Sequence, residues 1–203
     1  MAILTWYGHS CFGLDFGSGG SVVFDPYSPG SVPGTELPEG LCADLVLCSH
    51  QHGDHNAAER VKLSGRKPAF SATPVDSYHD PERGAKRGPN RIYLVEHDGF
   101  RAVHLGDLGC SLSREQISLL EKPDLLLIPV GGFFTIGPEE ACAVLEQLQP
   151  RVAVPMHYRR GGMGYDVLST LESFLEKWGA HHELPGNTLD ILPETAGLYV
   201  LNR

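Results

Sequence analysis

Six consecutive residues, His50-Gln51-His52-Gly53-Asp54-His55, carry three imidazoles and a carboxylate. Imidazole nitrogen and carboxylate oxygen are the donors that zinc and similar divalent ions accept. Two ions close together need about this many donors delivered at once, and a water between them becomes hydroxide at neutral pH. Four donors do not complete a pair of sites. The rest must come from later in the chain, where His79, His97, His104, Asp107 and His157 compete. No Ser-His-Asp elbow motif is present, so metal-activated water is the preferred nucleophile.

These donors need elements to hold them. The run Leu45 to Ser49 reads as a short buried strand, and Asn56 to Leu63 as the start of a helix. The hexapeptide therefore falls on a strand-to-helix loop, where Gly53 is free to take a backbone angle other residues avoid. Further strands are expected at Ile3–Tyr7, Cys11–Phe16, Ser21–Asp25, Ala69–Ala72, Ile92–His97 and Arg101–Leu105. Asp98-Gly99 is a hairpin signal between the last two. The proline- and glycine-rich segment 26–40 reads as a loop. Later in the chain, Ser113-x-x-Gln116 forms a capping box for a helix to about Glu121. Pro138, followed by Glu139 and Glu140, opens a second helix that stops before Pro150. Asp166 is the expected cap of a third, whose apolar residues recur at helical spacing up to Gly179. Strands Leu125–Pro129 and Val152–Pro155 lie between the helices.

Strand geometry sorts the competing donors. His97 abuts the hairpin turn, while Asp107 follows the far end of the returning strand. At ~3.3 Å per residue the two are roughly 25 Å apart, so they cannot share one centre. His97 is expected at the surface. Asp107 and His157 each follow a strand, and His79 follows Ala69–Ala72 after a short loop. His104 lies about 10 Å along its strand from Asp107, which suits an outer partner better than a ligand. His9 sits in a hairpin loop, where orienting a ligand, touching substrate or shaping the turn all remain open. His181 and His182 lie beyond a helix end and are expected in solvent.

The chain resembles the metallo-β-lactamase superfamily of metal-dependent hydrolases, and within it the small single-domain branch that includes L-ascorbate-6-phosphate lactonase. The likeness rests on Gly8-His9-Ser10-Cys11-Phe12, Phe24-Asp25-Pro26, Ser49 to His55, and Ala72 to Asn90. It continues through His104-Leu105-Gly106-Asp107, Ile128 to Gly132 and Pro155-Met156-His157-Tyr158. The resemblance implies a four-layer αβ/βα sandwich, two mixed sheets flanked by helices, as one domain over residues 1–203. It implies two divalent ions, zinc first and manganese or iron as alternatives. His50, His52 and His79 would hold one, Asp54, His55 and His157 the other, with Asp107 bridging; Asp54 and Asp107 are the expected catalytic carboxylates. Hydroxide held by the ions would attack a small ester or lactone. A phosphodiesterase or nuclease with the same metals is the alternative, and a metal-binding or sensory module the third reading.

Composition narrows partners more than substrate. A formal charge of −9 argues against general nucleic-acid binding, and no apolar run approaches the ~20 residues of a membrane span. A small-molecule substrate is expected, with a homo-oligomer open. The five cysteines form no C-x-x-C pair, and the first residues carry no signal-peptide pattern. Together these point to free thiols in a cytoplasmic protein. Arg83, Lys86 and Arg87 follow His79, and Arg159 and Arg160 follow His157. If these clusters flank the site, with Arg87 and Arg159 nearest, an anionic substrate is favoured.

Overall fold

In the computed structural model, which describes residues 1–203, the chain first forms strands β1 (Ala2–Gly8), β2 (Cys11–Asp15), β3 (Ser21–Phe24) and β4 (Cys42–Ala43). Next come β5 (Leu45–Leu47), β6 (Lys62–Leu63), β7 (Ser71–Tyr78), β8 (Pro89–His97) and β9 (Phe100–His104). Helix α1 (Arg114–Leu120), β10 (Leu125–Pro129), α2 (Pro138–Leu148), β11 (Val152–Met156) and α3 (Leu171–Trp178) follow. The remaining strands are β12 (His182–Glu183), β13 (Thr188–Ile191) and β14 (Gly197–Val200).

Two mixed sheets pack face to face. The first has the order β13-β1-β2-β3-β5 and the second β12-β14-β11-β10-β9-β8-β7, with β4 and β6 paired apart. Strand alternation makes the shared core: Phe12, Leu14, Val22 and Phe24 point into a main cluster that also takes the fully apolar β10 and β11. Cys11 and Val23, on the opposite face, join Tyr27, Val32, Leu37 and Leu41 in a smaller cluster. Segment 26–40 thus folds its apolar residues over the outer face of the first sheet, while α2 packs against α1 and α3 beside the second. No helix is long and apolar enough to cross a membrane, and all five cysteines are unpaired.

Local signals hold at several points. Ser113 and Gln116 exchange both capping-box hydrogen bonds, and the Glu140 carboxylate accepts from the Gly137 amide at the start of α2. Asp98 and Gly99 both have positive φ, as a two-residue hairpin turn of this twist requires.

Four expectations are corrected. The segment after the hexapeptide makes only a 3₁₀ turn at Ala58–Arg60, because parallel pairing of β6 with β4 pulls the chain out of a helix. The strand expected at Ala69–Ala72 instead runs Ser71–Tyr78, paired with β8 along its whole length. Pro74 hides it in the sequence, yet β7 is an edge strand, where a missing amide is tolerated. Helix α3 begins after Thr170, whose side chain accepts from the Ser173 amide. Arg159 bonds both Ser169 and Leu171 through its backbone, keeping the residues after Asp166 out of the helix. Gly53 does not adopt positive φ; the turn there is closed by the His55 amide donating to the His52 carbonyl.

Candidate metal centre

Parallel strands of both sheets end on one rim, and six of them deliver polar residues there. From the first sheet, β1 runs into His9, β3 into Asp25 and β5 into His50–His55. From the second, β7 runs into His79, β9 into Asp107 and β11 into His157. His9, Asp25 and His157 all have positive φ, 51°, 45° and 53°. This left-handed geometry costs energy for residues other than glycine and clusters at functional sites. Each of the three turns its chain sharply off the strand end. Gly106 also has positive φ, and a Cβ there would run into Asn90 and Ser49. It lets β9 exit beside the hexapeptide strand.

Donor atoms gather into overlapping groups, each with all atoms within 4.8 Å of one another: His50, His52 and His79; His9, Asp54, His55 and His157; and His50, His55 and Asp107. Asp107 is buried between them. Its Oδ2 lies 3.2 Å from Nε2 of both His79 and His157 and 3.8 Å from that of His50, and its Oδ1 lies 3.2 Å from His55 Nε2. Burial alone would raise the Asp107 pKa, but His157 and His55 outweigh it and hold the carboxyl well below the usual range. The Asp107 amide donates to Asn90 Oδ1 (2.9 Å), and Asn90 in turn donates to Ser77 Oγ and the Leu105 carbonyl.

A set of outer partners fixes the imidazoles. His55 Nδ1 lies 2.9 Å from Asp25 Oδ2, and His79 Nδ1 lies 2.9 Å from the Phe134 carbonyl. Both partners can only accept, so each Nδ1 carries a proton and each Nε2 is the nitrogen left to present a lone pair when the ring is neutral. Burial lowers the His55 pKa, but Asp107 and Asp25 raise it well above the usual value, so a cation there would displace its second proton. Ser49 donates its hydroxyl proton to Asp25 (2.7 Å) and accepts from His50 Nδ1 (2.9 Å), which sets the same tautomer there. Asp25 therefore orients two imidazoles, and it also accepts from the Ser49 amide (2.6 Å). Although burial raises its pKa, His104 and His55 hold it below the ordinary value.

The remaining buried histidines divide. His104 donates from Nε2 to the Ser10 carbonyl (3.0 Å) and accepts the Gly106 amide at Nδ1 (3.0 Å), while its ring stacks on Phe24. Both its nitrogens are spent on shaping loops, so it is no ligand. His9 is different. It is buried, makes no hydrogen bond through either ring nitrogen, and lies 3.4 Å from Asp54. Burial first, then His157, push its pKa down to about 4. His97 lies at the opposite end of the second sheet. It is partly covered rather than fully at the surface, because its ring packs on Phe16. His181 and His182 are exposed.

A cavity of about 280 Å³ opens onto the centre, lined by His52, Asp54, His79, Asp107 and His157 together with Arg87, Phe134 and Tyr165. Asp80 is buried and accepts four backbone N–H groups of the following loop, from Glu82, Gly84, Lys86 and Arg87. That loop carries Arg87 to the cavity, with its guanidinium 5.4 Å from the Phe134 ring centroid and no carboxylate partner. Lys86 is paired with Glu82 instead. The Arg159 and Arg160 pair is not at the site. Arg159 donates to the Leu168 carbonyl, Arg160 is held by Glu172 and Glu183, and both line a separate cleft. Adjacency in sequence to His157 misleads because the turn at His157 sends Arg159 and Arg160 away from the rim, and the chain returns to the cavity only at Tyr165.

The donor chemistry fits divalent metal. His50 Nε2, His55 Nε2, Asp107 Oδ1, His157 Nδ1 and both His9 nitrogens are buried without a hydrogen-bond partner. Of these, His50, His55 and Asp107 belong to one donor group, and buried polar atoms without partners are costly unless a cation takes them.

Comparison with known proteins agrees. Residues 3–157 match the β-lactamase superfamily domain. The chain is 33% identical to a UPF0173 metal-dependent hydrolase of Thermococcus onnurineus, over 78% of this chain and 85% of the relative. It is 30% identical to another from Archaeoglobus fulgidus, over 76% and 82%. The solved structure of a metallo-β-lactamase superfamily protein from Thermotoga maritima matches with a TM-score of 0.78 and 31% identity, covering 99% of this chain and 98% of that one. The chain belongs to the β-lactamase superfamily and is one of its metal-dependent hydrolases.

Proposed function

We propose that the protein hydrolyses small anionic esters or lactones at a two-ion centre. His50, His52 and His79 would hold one ion and Asp54, His55 and His157 the other, with Asp107 available to both. The observation that carries this reading is the fixed tautomer of His50, His55 and His79, each held at Nδ1 so that Nε2 faces the centre. Divalent cations bound there supply an activated water and stabilise the negative charge that develops on the substrate. In hydrolysis the water oxygen bonds to the acyl carbon, the acyl C–O bond breaks, and the leaving alcohol takes a proton. Asp54 and Asp107 are the carboxylates on the cavity wall, and they would be available to accept the proton released by the water. The Tyr165 hydroxyl lies 2.5 Å from the Ser31 carbonyl and 3.2 Å from Asp54 Oδ2, two acceptors that share its one proton.

Elemental analysis of protein purified without chelator is expected to show two ions per chain, zinc first, with manganese or iron as substitutes. Chelation should abolish turnover of a panel of lactones and esters, and refilling should restore it. A chain that stays metal-free after reconstitution with each of these ions overturns the proposal. Turnover confined to phosphodiesters would favour the other chemistry.

Arg87 supports the anionic preference, since it is an unpaired cation on the wall of a small cavity. A charge-assisted hydrogen bond is worth about 1.5–3 kcal/mol, or roughly 10- to 100-fold. Arg87→Ala is therefore expected to raise KM for an anionic substrate by about that factor with little change in kcat, because ground and transition states share the contact. Raised salt should weaken binding in the same direction. Equal kcat/KM for neutral and anionic versions of one lactone would refute this role.

A further inference from the structure

Of the donors on the rim, His9 has no role in the reading above. It contributes 1% of its surface to solvent and is not on the wall of the cavity, so it cannot touch substrate. It is not merely shaping its turn either. Trp6 donates to the His9 backbone carbonyl, but neither ring nitrogen makes a hydrogen bond. The ring sits 4.2 Å from that of His157 and 5.3 Å from that of His55, centroid to centroid, and its Nε2 lies 3.4 Å from Asp54 Oδ2. A buried imidazole with two idle nitrogens costs energy, and a backbone at φ 51° adds to it. Both costs are recovered if the ring binds something, and besides the Tyr165 ring it faces Asp54, His55 and His157, with which its nitrogen forms one donor group.

We propose that His9 is a fourth protein ligand at the second position, joining Asp54, His55 and His157. The inference rests on the two-ion reading and deepens it. Counting the shared Asp107, the second position would have five protein donors against four at the first, so the first keeps more room for water or substrate. The first position is also the one with an exposed ligand, His52. The two sites are therefore unequal. The second would hold its ion tightly and serve as the anchor, and the first, with fewer donors and the exposed His52, would exchange its ion.

The test uses the full chain, stripped with chelator and titrated with cobalt(II) or zinc. His9→Asn and His9→Gly both tolerate positive φ, so circular dichroism should show a retained fold. Wild-type protein is expected to take up two ions, one clearly tighter, with the tight cobalt giving the intense visible bands of a site low in coordination number and rich in nitrogen. Each variant should lose more than about 100-fold in affinity for the tight ion, beyond the ~10- to 100-fold that loss of an outer partner costs. The bands of the tight cobalt should change as water replaces the imidazole. Two ions bound with unchanged bands and a loss of about 10-fold or less would overturn the role of His9 and leave the two-ion centre standing. Wild-type protein that takes up no ion would overturn both.

Discussion

Asp107→Ala should lower hydrolysis by on the order of a thousandfold and release metal from both positions, while His97→Ala retains near wild-type turnover. The contrast follows from placement. Asp107 is within 3.2 Å of His55, His79 and His157, donors from both groups, whereas His97 is at the far end of its sheet. Removing a shared carboxylate leaves two cations facing each other without the charge between them. The several kcal/mol of stabilisation that such a clamp gives the transition state corresponds to about three powers of ten in rate. The fold should survive, because the Asp107 amide still donates to Asn90. The check is kcat/KM and metal content for the two purified variants side by side. Equal activity would mean that Asp107 does not belong to the centre.

Much of this centre was legible because its donors are dense in sequence. The hexapeptide puts four within six residues, and the His104-to-Asp107 segment carries its own strand, glycine turn and carboxylate. Short apolar runs between turn signals located β1, β2, β3, β8 and β9, and the capping box located α1. Elements went astray where tertiary pairing decides. Segment 56–63 has the composition of a helix, yet its ladder to β4 keeps it to one turn. Residues Ser71–Tyr78 lack an apolar alternation because β7 is an edge strand with several exposed positions. Its true end places His79 directly after the strand rather than beyond a loop.

Outer partners were illegible for a different reason. Asp25, Asn90 and Tyr165 meet their partners across 30, 17 and 111 residues of chain. Phe134 acts through its backbone carbonyl, which no side-chain pattern reveals. The segment around Asp25 carried the resemblance, but only the fold shows what its carboxylate does. Charge failed as a guide at Arg159 and succeeded at Arg87. The difference is Asp80, whose four backbone contacts curl one loop back to the cavity, whereas the chain after His157 returns only at Tyr165, leaving Arg159 and Arg160 outside.

Asp25 allows a sharper separation of folding from metal binding. Asp25→Ala removes a buried acceptor of three hydrogen bonds, from the Ser49 amide, the Ser49 hydroxyl and His55. Breaking a buried charged contact typically costs about 3–5 kcal/mol. In a chain of this size that corresponds to roughly 10 °C in the unfolding midpoint, measured with chelator present. Asp25→Asn should behave differently. Asparagine suits the left-handed backbone, and its Oδ1 still accepts from the Ser49 amide. Its amide nitrogen, however, replaces Oδ2 and becomes a donor to His55 Nδ1 and Ser49 Oγ. His55 must then carry its proton on Nε2, facing the centre. Ser49, now an acceptor there, turns its own proton to His50 Nδ1 and inverts that ring as well. Two of the imidazoles that present lone pairs would then present protons. Asp25→Asn is expected to melt near the wild-type temperature without metal, yet lose about 10- to 100-fold or more in metal affinity. Ring-nitrogen NMR of the metal-free variant would show the changed tautomers directly. Wild-type affinity in Asp25→Asn would mean that Asp25 only supports the fold.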